Sequence, residues 1–143
     1  MNRYPRSPHD KVGEIVYFGR MLDKIRLHAA RELHPDLIEN LGVAFDKRCT
    51  DFLGVDYAAL ADKVAGGLDD NSALAWCFSA GRTPTEEQIE IWNAFMTKRG
   101  WRDGGTSRLV ERKAESGLSG RDDIITMFDY LDADEGRPLR RWW

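Results

Sequence analysis

Phe18-Gly19-Arg20-Met21-Leu22-Asp23-Lys24-Ile25-Arg26-Leu27-His28 is the stretch on which the reading of this chain turns. Its apolar pattern extends both ways. Ile15, Phe18, Leu22, Ile25, Ala29 and Leu33 recur at steps of three and four, which places them on one face of a helix. The spacing predicts a long helix from Glu14 to Leu33. His34-Pro35 ends it, because the residue before a proline is pushed out of helical backbone. At ~100° per residue, Arg20, Lys24 and Arg31 fall together opposite the apolar stripe. Asp23 stands three residues from Arg20 and from Arg26, His28 follows Lys24 by four, and Tyr17 lies over the same flank.

A charged face on a surface helix is ordinary, and its ion pairs contribute only ~0.3–0.5 kcal/mol each. Val16 and Leu27, however, interrupt the polar sector. A helix apolar on most sides runs through the middle of a molecule, and its charges must then be paired, hydrogen-bonded or met by a ligand. The expectation is that this helix is central and that Arg20, Asp23 and Lys24 form a shielded cluster. Such a cluster suits a small anionic ligand, with arginine supplying the planar fork.

Helical patterns run through the rest of the chain. Arg3 to Pro8 holds two prolines and cannot be regular helix, although Ser7-Pro8 can open a short turn. Asp36 to Phe45 is ambiguous, because Gly42 interrupts it. A short helix fits Lys47 to Leu53, capped by Asp46 and stopped by Gly54. Asp56 caps the next, Tyr57 to Ala65, which Gly66-Gly67 ends. Asp69 or Asp70 caps another, closed by Gly81. Thr83-Pro84-Thr85-Glu86 reads as a capping box with Thr83 as cap, opening a helix that Gly100 stops. A weaker helix fits Ser107 to Glu115, and a last one spans Arg121 to Leu131, burying Ile124, Ile125 and Phe128. The predicted architecture is a single all-α domain of about six to seven short helices with the first long helix central. An irregular arm (residues 1–10) and an irregular tail (residues 133–143) flank it. Trp76 and Trp92 are expected to hold the middle helices together.

Composition narrows the function. With 143 residues the chain has the length of one domain, and 42% hydrophobic with 31% charged residues is a globular mix. No apolar run approaches the ~18 residues that span a bilayer, and the first residues lack the apolar segment of a secretory signal. Cys49 and Cys77 read as buried thiols, so cytoplasmic residence is the default expectation. A net charge of -3 argues against a general nucleic-acid binder. The helix from Glu86 would present Glu86, Glu87 and Glu90 to phosphates if it read DNA. His9, His28 and His34 share no metal-ligand spacing, and there is no Cys-x-x-Cys, Gly-rich phosphate loop or Gly-x-Ser-x-Gly, so no metal or cofactor is expected. Asp132, Asp134 and Glu135 read as a frayed acidic helix end.

Five blocks carry a resemblance. They are Tyr4-Pro5-Arg6-Ser7-Pro8, Gly19-Arg20-Met21-Leu22-Asp23-Lys24-Ile25-Arg26, Phe52-Leu53-Gly54-Val55, Ala75-Trp76-Cys77 and Glu90-Ile91-Trp92-Asn93. Together they resemble the bacterial domain-of-unknown-function family numbered 5069, over Arg3 to Trp101, with the remaining third reading as lineage-specific. The resemblance implies a small bacterial protein and carries no activity, cofactor or partner. Its most recognisable element makes Arg20, Asp23 and Lys24 the candidate ligand-binding residues, with Asp46 a weaker addition whose plainer reading is a helix cap. The leading expectation is a binding or accessory protein for a small anionic ligand. Two alternatives remain: a protein-interaction module using Trp101 or the Trp142-Trp143 tail, and an enzyme using Asp23 as base with Arg20 and Lys24 as clamps. Neighbouring cations lower a carboxylate's pKa and make it a poor base, which ranks catalysis below binding.

Overall fold

The computed structural model describes residues 1–141. The chain opens with an arm that runs beside the end of the first helix. Arg3 pairs with Leu33 in an isolated parallel bridge, through Arg3 N–H to Glu32 O and His34 N–H to Arg3 O. The arm has irregular backbone, as expected, but Pro5, Ser7, Pro8 and His9 are buried.

The first departure from expectation follows. Glu14 to Tyr17 are not helical. β1 (Lys11–Val12) and β2 (Ile15–Val16) form a two-residue hairpin, with Lys11 opposite Val16 and Val12 opposite Ile15. Gly13 and Glu14 both have positive φ (53° and 67°), the backbone that matches a two-residue turn to strand twist. α5 (Glu86–Lys98) holds the hairpin from outside. Asn93 accepts from Val16 N–H at 3.1 Å and donates to Glu14 O at 2.8 Å, and Trp92 Nε1 donates to Val16 O at 3.2 Å.

α1 (Phe18–Ala29) is shorter than predicted and central. It starts after Tyr17, whose φ of 72° turns the chain out of the hairpin. It ends in a Schellman motif: Glu32 N–H bonds Leu27 O, Arg31 N–H bonds His28 O, and Arg31 takes the left-handed position at φ 59°. Gly19 lies in the first turn of α1. Its reason is space: a Cβ there would lie 2.7 Å from the Arg6 guanidinium.

A 3-10 helix (Pro35–Asn40) follows, then α2 (Phe45–Leu53), α3 (Tyr57–Ala65) and α4 (Asp70–Ala80). Asp56 and Asp69 cap α3 and α4 as predicted. Asp46 does not cap α2; it lies one residue inside, and its carboxylate turns into the core. α5 begins two residues later than the first cap candidate implies. Thr85 is its cap, and Gln88 returns the bond to Thr85 N–H, so the capping box is Thr85-Glu86-Glu87-Gln88. Thr85→Ala should therefore cost about 1 kcal/mol, and Thr83→Ala should be near neutral in chemical denaturation.

α6 (Thr106–Glu115) matches its predicted position. α7 (Met127–Asp134) begins six residues after the expected Arg121, capped by Thr126. The predicted tail therefore holds the last two residues of a helix, Ala133 and Asp134, at its start, and its Trp142 and Trp143 lie outside the described residues.

The protein is mostly helical, with the hairpin its one small sheet among the described residues. The main core gathers α1, the hairpin, α2 to α5 and Phe128. Phe52 stacks on Trp92 with ring centres 4.7 Å apart, while Trp76 packs at the core's margin. A smaller cluster of Leu109, Ile124 and Tyr130 joins α6 to α7.

Candidate functional site

The fixed charges of α1 serve two separate networks. On one flank Asp23 takes three hydrogen bonds from Arg6: backbone N–H at 3.0 Å, Nε at 2.9 Å and Nη2 at 2.8 Å. Arg6 also reaches Asp70 at 2.9 Å, and Arg26 donates to Asp70 at 2.8 Å. This half-buried quartet bolts the arm to α1 and α4. Burial pushes the Asp23 carboxyl up, but the hydrogen bonds from Arg6 outweigh it and hold the group below the usual range. Asp70 is held low by the same balance, with Arg6 and Arg26 as its donors. Carboxylates with depressed pKa stabilise the fold above their unfolded pKa, and that stability is lost as pH falls through the folded value. In Arg6→Gln the depression shrinks. The variant should be less stable at neutral pH but lose less on acidification below about pH 4, a shallower slope readable by urea titration at stepped pH.

On the other flank Arg20 and Lys24 are buried, at 1% and 3% exposure. Arg20 forms a two-pronged pair with Glu135, at 2.8 and 2.6 Å, and donates to the Arg6 carbonyl at 3.1 Å. Burial opposes the Arg20 charge, yet Glu135 raises its pKa overall. Glu135 is shared with Arg137 at 2.6 Å, and Arg137 also reaches Asp132 and the Pro5 carbonyl. Asp132 accepts from the Ser7 hydroxyl at 3.0 Å. Two of the three acids at the end of α7 are therefore engaged: Glu135 is ion-paired to Arg20 of α1 and Asp132 is hydrogen-bonded to Ser7 of the arm, while Asp134 is exposed.

Lys24 Nζ lies 3.0 Å from both oxygens of Asp46, which is wholly buried. Asp46 also accepts from the Tyr17 hydroxyl at 2.6 Å and from Gly42 N–H at 3.0 Å. Burial pushes Lys24 below its ordinary pKa against the pull of Asp46, and burial with Asp46 drives the Tyr17 phenol well up.

These two buried pairs back a cavity of about 670 Å³ between the main core and the α6–α7 cluster. Tyr17, Arg20 and Lys24 contribute to its wall, as do the 3-10 helix and the start of α2. Arg48, Arg99, Arg108 and Arg112 also line it. Arg99 pairs with Asp103 at 3.6 Å and Arg108 with Glu111 at 2.8 Å. Arg48 lies over the Phe95 ring at 5.3 Å. Among the described residues, neither Arg48 nor Arg112 has a carboxylate within salt-bridge distance.

A family model described as a domain of unknown function, DUF5069, matches residues 2–137. The chain belongs to that family. No curated protein matches the chain significantly. The DUF5069 match corrects the reading of the last third as lineage-specific: it takes in α6, α7, Glu135 and Arg137. Those residues complete the surroundings of the Gly19–Arg26 block.

Of the four residues singled out from sequence, Arg20 and Lys24 line the cavity, Asp46 lies behind it, and Asp23 belongs to the arm's quartet. The expected convergence of Asp23 with Arg20 and Lys24 is thus corrected. Three residues turn the helix by about 300°, leaving Asp23 on the flank that Arg6 and Asp70 occupy. Glu135, Asp70, Arg6 and the rim arginines are the residues that reading α1 alone misses. Among the described residues no group of three His, Cys, Asp or Glu side chains is placed to hold a metal ion, and no helix is long and apolar enough to cross a membrane.

Proposed function

We propose that the chain is a binding or accessory protein that takes a small anionic ligand in the cavity between α1, α2, α6 and α7. The observation that carries this reading is the pair Arg48 and Arg112, two cations of the cavity lining that lack a carboxylate partner among the described residues. Guanidinium groups in that state present forked donors to an incoming carboxylate or phosphate. Arg20 and Lys24 give the site shape rather than net charge, because Glu135 and Asp46 already neutralise them.

Backbone strain supports the same place. Tyr17 (φ 72°) and Ala44 (φ 53°, ψ -122°) are non-glycine residues in positive-φ backbone, and both line the cavity. Such conformations persist where the surroundings enforce them, and they concentrate at ligand sites. Cytoplasmic residence belongs to the proposal, on the strength of the free, buried thiols of Cys49 and Cys77.

Two other readings have less behind them. Asp23 is held by arginine and lies outside the cavity lining, which gives a reading with Asp23 as catalytic base less support. Trp101 is 47% exposed and carries Arg102 over its ring at 5.2 Å, a small patch for a protein partner.

A thermal-shift panel of phosphate, nucleotides and acidic metabolites tests the proposal. A ligand present at ~100 times its Kd stabilises by about 2.7 kcal/mol, a rise of several degrees. That rise should disappear in the double variant Arg48→Gln/Arg112→Gln. No shift with any member of the panel, and identical behaviour of the variant, would count against it.

A further inference from the structure

This inference rests on the anion-binding reading above and narrows it. We propose that the ligand is an amphipathic anion: an alkyl or aryl body ending in one carboxylate or one phosphate. Charge divides unequally between the buried and exposed parts of the lining.

The buried part is electrically closed. Arg20 is matched by Glu135 and Lys24 by Asp46, with every pair at 3.0 Å or less. An anion driven there would have to displace a carboxylate that already holds two charge-assisted bonds. The unmatched cations are instead at the exposed margin, where Arg48 is exposed and Arg112 half-buried. The same lining carries Leu37, Phe45, Tyr130, Met127 and Leu131, all apolar or aromatic and all buried or half-buried. A body that is apolar suits those side chains, because it gains by leaving water and takes no charge from the closed pairs.

Two further facts bound the ligand. The volume of about 670 Å³ falls in the range of small-molecule sites, far larger than an inorganic ion needs. The margin also carries Asp36, Glu39 and Asp134, which repel a ligand with several negative groups. One anionic terminus, held at Arg48 and Arg112, satisfies both.

Isothermal titration calorimetry with four probes below their micelle concentrations tests this. They are octanoate, octyl phosphate, octanol and inorganic phosphate, each titrated into wild type and into Arg48→Gln/Arg112→Gln. Arg48 is exposed and Arg112 only half-buried, and circular dichroism checks that the variant is folded. The expected result is that octanoate or octyl phosphate binds about tenfold or more tighter than octanol and inorganic phosphate. The preferred one identifies the head group. The variant should lose that advantage while octanol binding stays the same. Inorganic phosphate binding as tightly as octyl phosphate would overturn the apolar body and leave the anion pocket standing. Octanol binding as tightly as octanoate, with no effect of the variant, would overturn both. If none of the four binds, the amphipathic ligand is rejected, and the wider panel decides the anion pocket separately.

Discussion

Replacing Glu135 by alanine is expected to destabilise the protein by about 3–5 kcal/mol, the cost of leaving a buried charge without its partner. Arg20 is the stranded group. It is 1% exposed and cannot shed its proton, and its remaining acceptor would be the Arg6 carbonyl. The mirror variant, Arg20→Met, should cost less. Glu135 would still have Arg137 at 2.6 Å, and Arg137 is 24% exposed and so already partly solvated. Against a typical total of about 5–15 kcal/mol, the alanine variant is expected to be partly unfolded at physiological temperature. A double variant, Arg20→Met/Glu135→Leu, removes both charges and should be more stable than Glu135→Ala alone. Urea denaturation of the four proteins measures the series. Should Glu135→Ala lose no more than an exposed control such as Glu39→Ala, the pair is not the clamp described here.

That clamp also marks the limit of what could be read from sequence. Punctuation was legible: Asp56 and Asp69 cap, Gly54 and Gly81 stop, and α3 falls on its predicted residues. So was the centrality of α1, signalled by Leu27 within the polar sector, although Val16, the other residue of that argument, is a strand residue. Where the reading overran, periodicity misled it. Ile15 and Leu33 extend the helical stripe in register, yet one is a strand residue and the other follows the Schellman turn at Arg31. An arginine at that left-handed position gives no stop signal, and Gly13-Glu14 is a weak hairpin turn by composition. The late start of α7 was written in Thr126-Met127-Phe128-Asp129, a capping pattern that the Ile124–Phe128 spacing obscured.

The site was harder for a reason of distance. Same-helix geometry shows which charges neighbour one another on α1, and it correctly groups Arg20 with Lys24. It is blind to acids that arrive from elsewhere. Glu135 lies 115 residues from Arg20, Asp46 lies 22 from Lys24, and Arg6 lies 17 from Asp23. What sequence supports is a requirement, that buried cations find acids. Only the tertiary fold says which acids, and therefore which cations are left over for a ligand.

Asp46→Asn is expected to cost about 3–5 kcal/mol near neutral pH, and to change how stability depends on pH. The carboxylate accepts from Tyr17, Lys24 and Gly42 through two oxygens, and asparagine would turn a donor toward one of them. Lys24, already pushed down by burial, would lose the carboxylate that does most to hold its proton. Its folded pKa must then fall further. Between that folded value and about 10.4 the unfolded chain binds more protons than the folded one, so stability rises with pH in this window. The variant should therefore recover part of its loss as pH is raised from about 6 to about 9.5, more steeply than wild type. Adding Lys24→Met should flatten the slope and restore stability, since no buried ammonium remains. Parallel pH profiles for all three proteins would show that Lys24 does not depend on Asp46. The same series bears on function. Lys24 and Tyr17 line the cavity that Asp46 backs, so a double variant that folds well yet binds the anionic probe weakly would separate the shape of this wall from its stability.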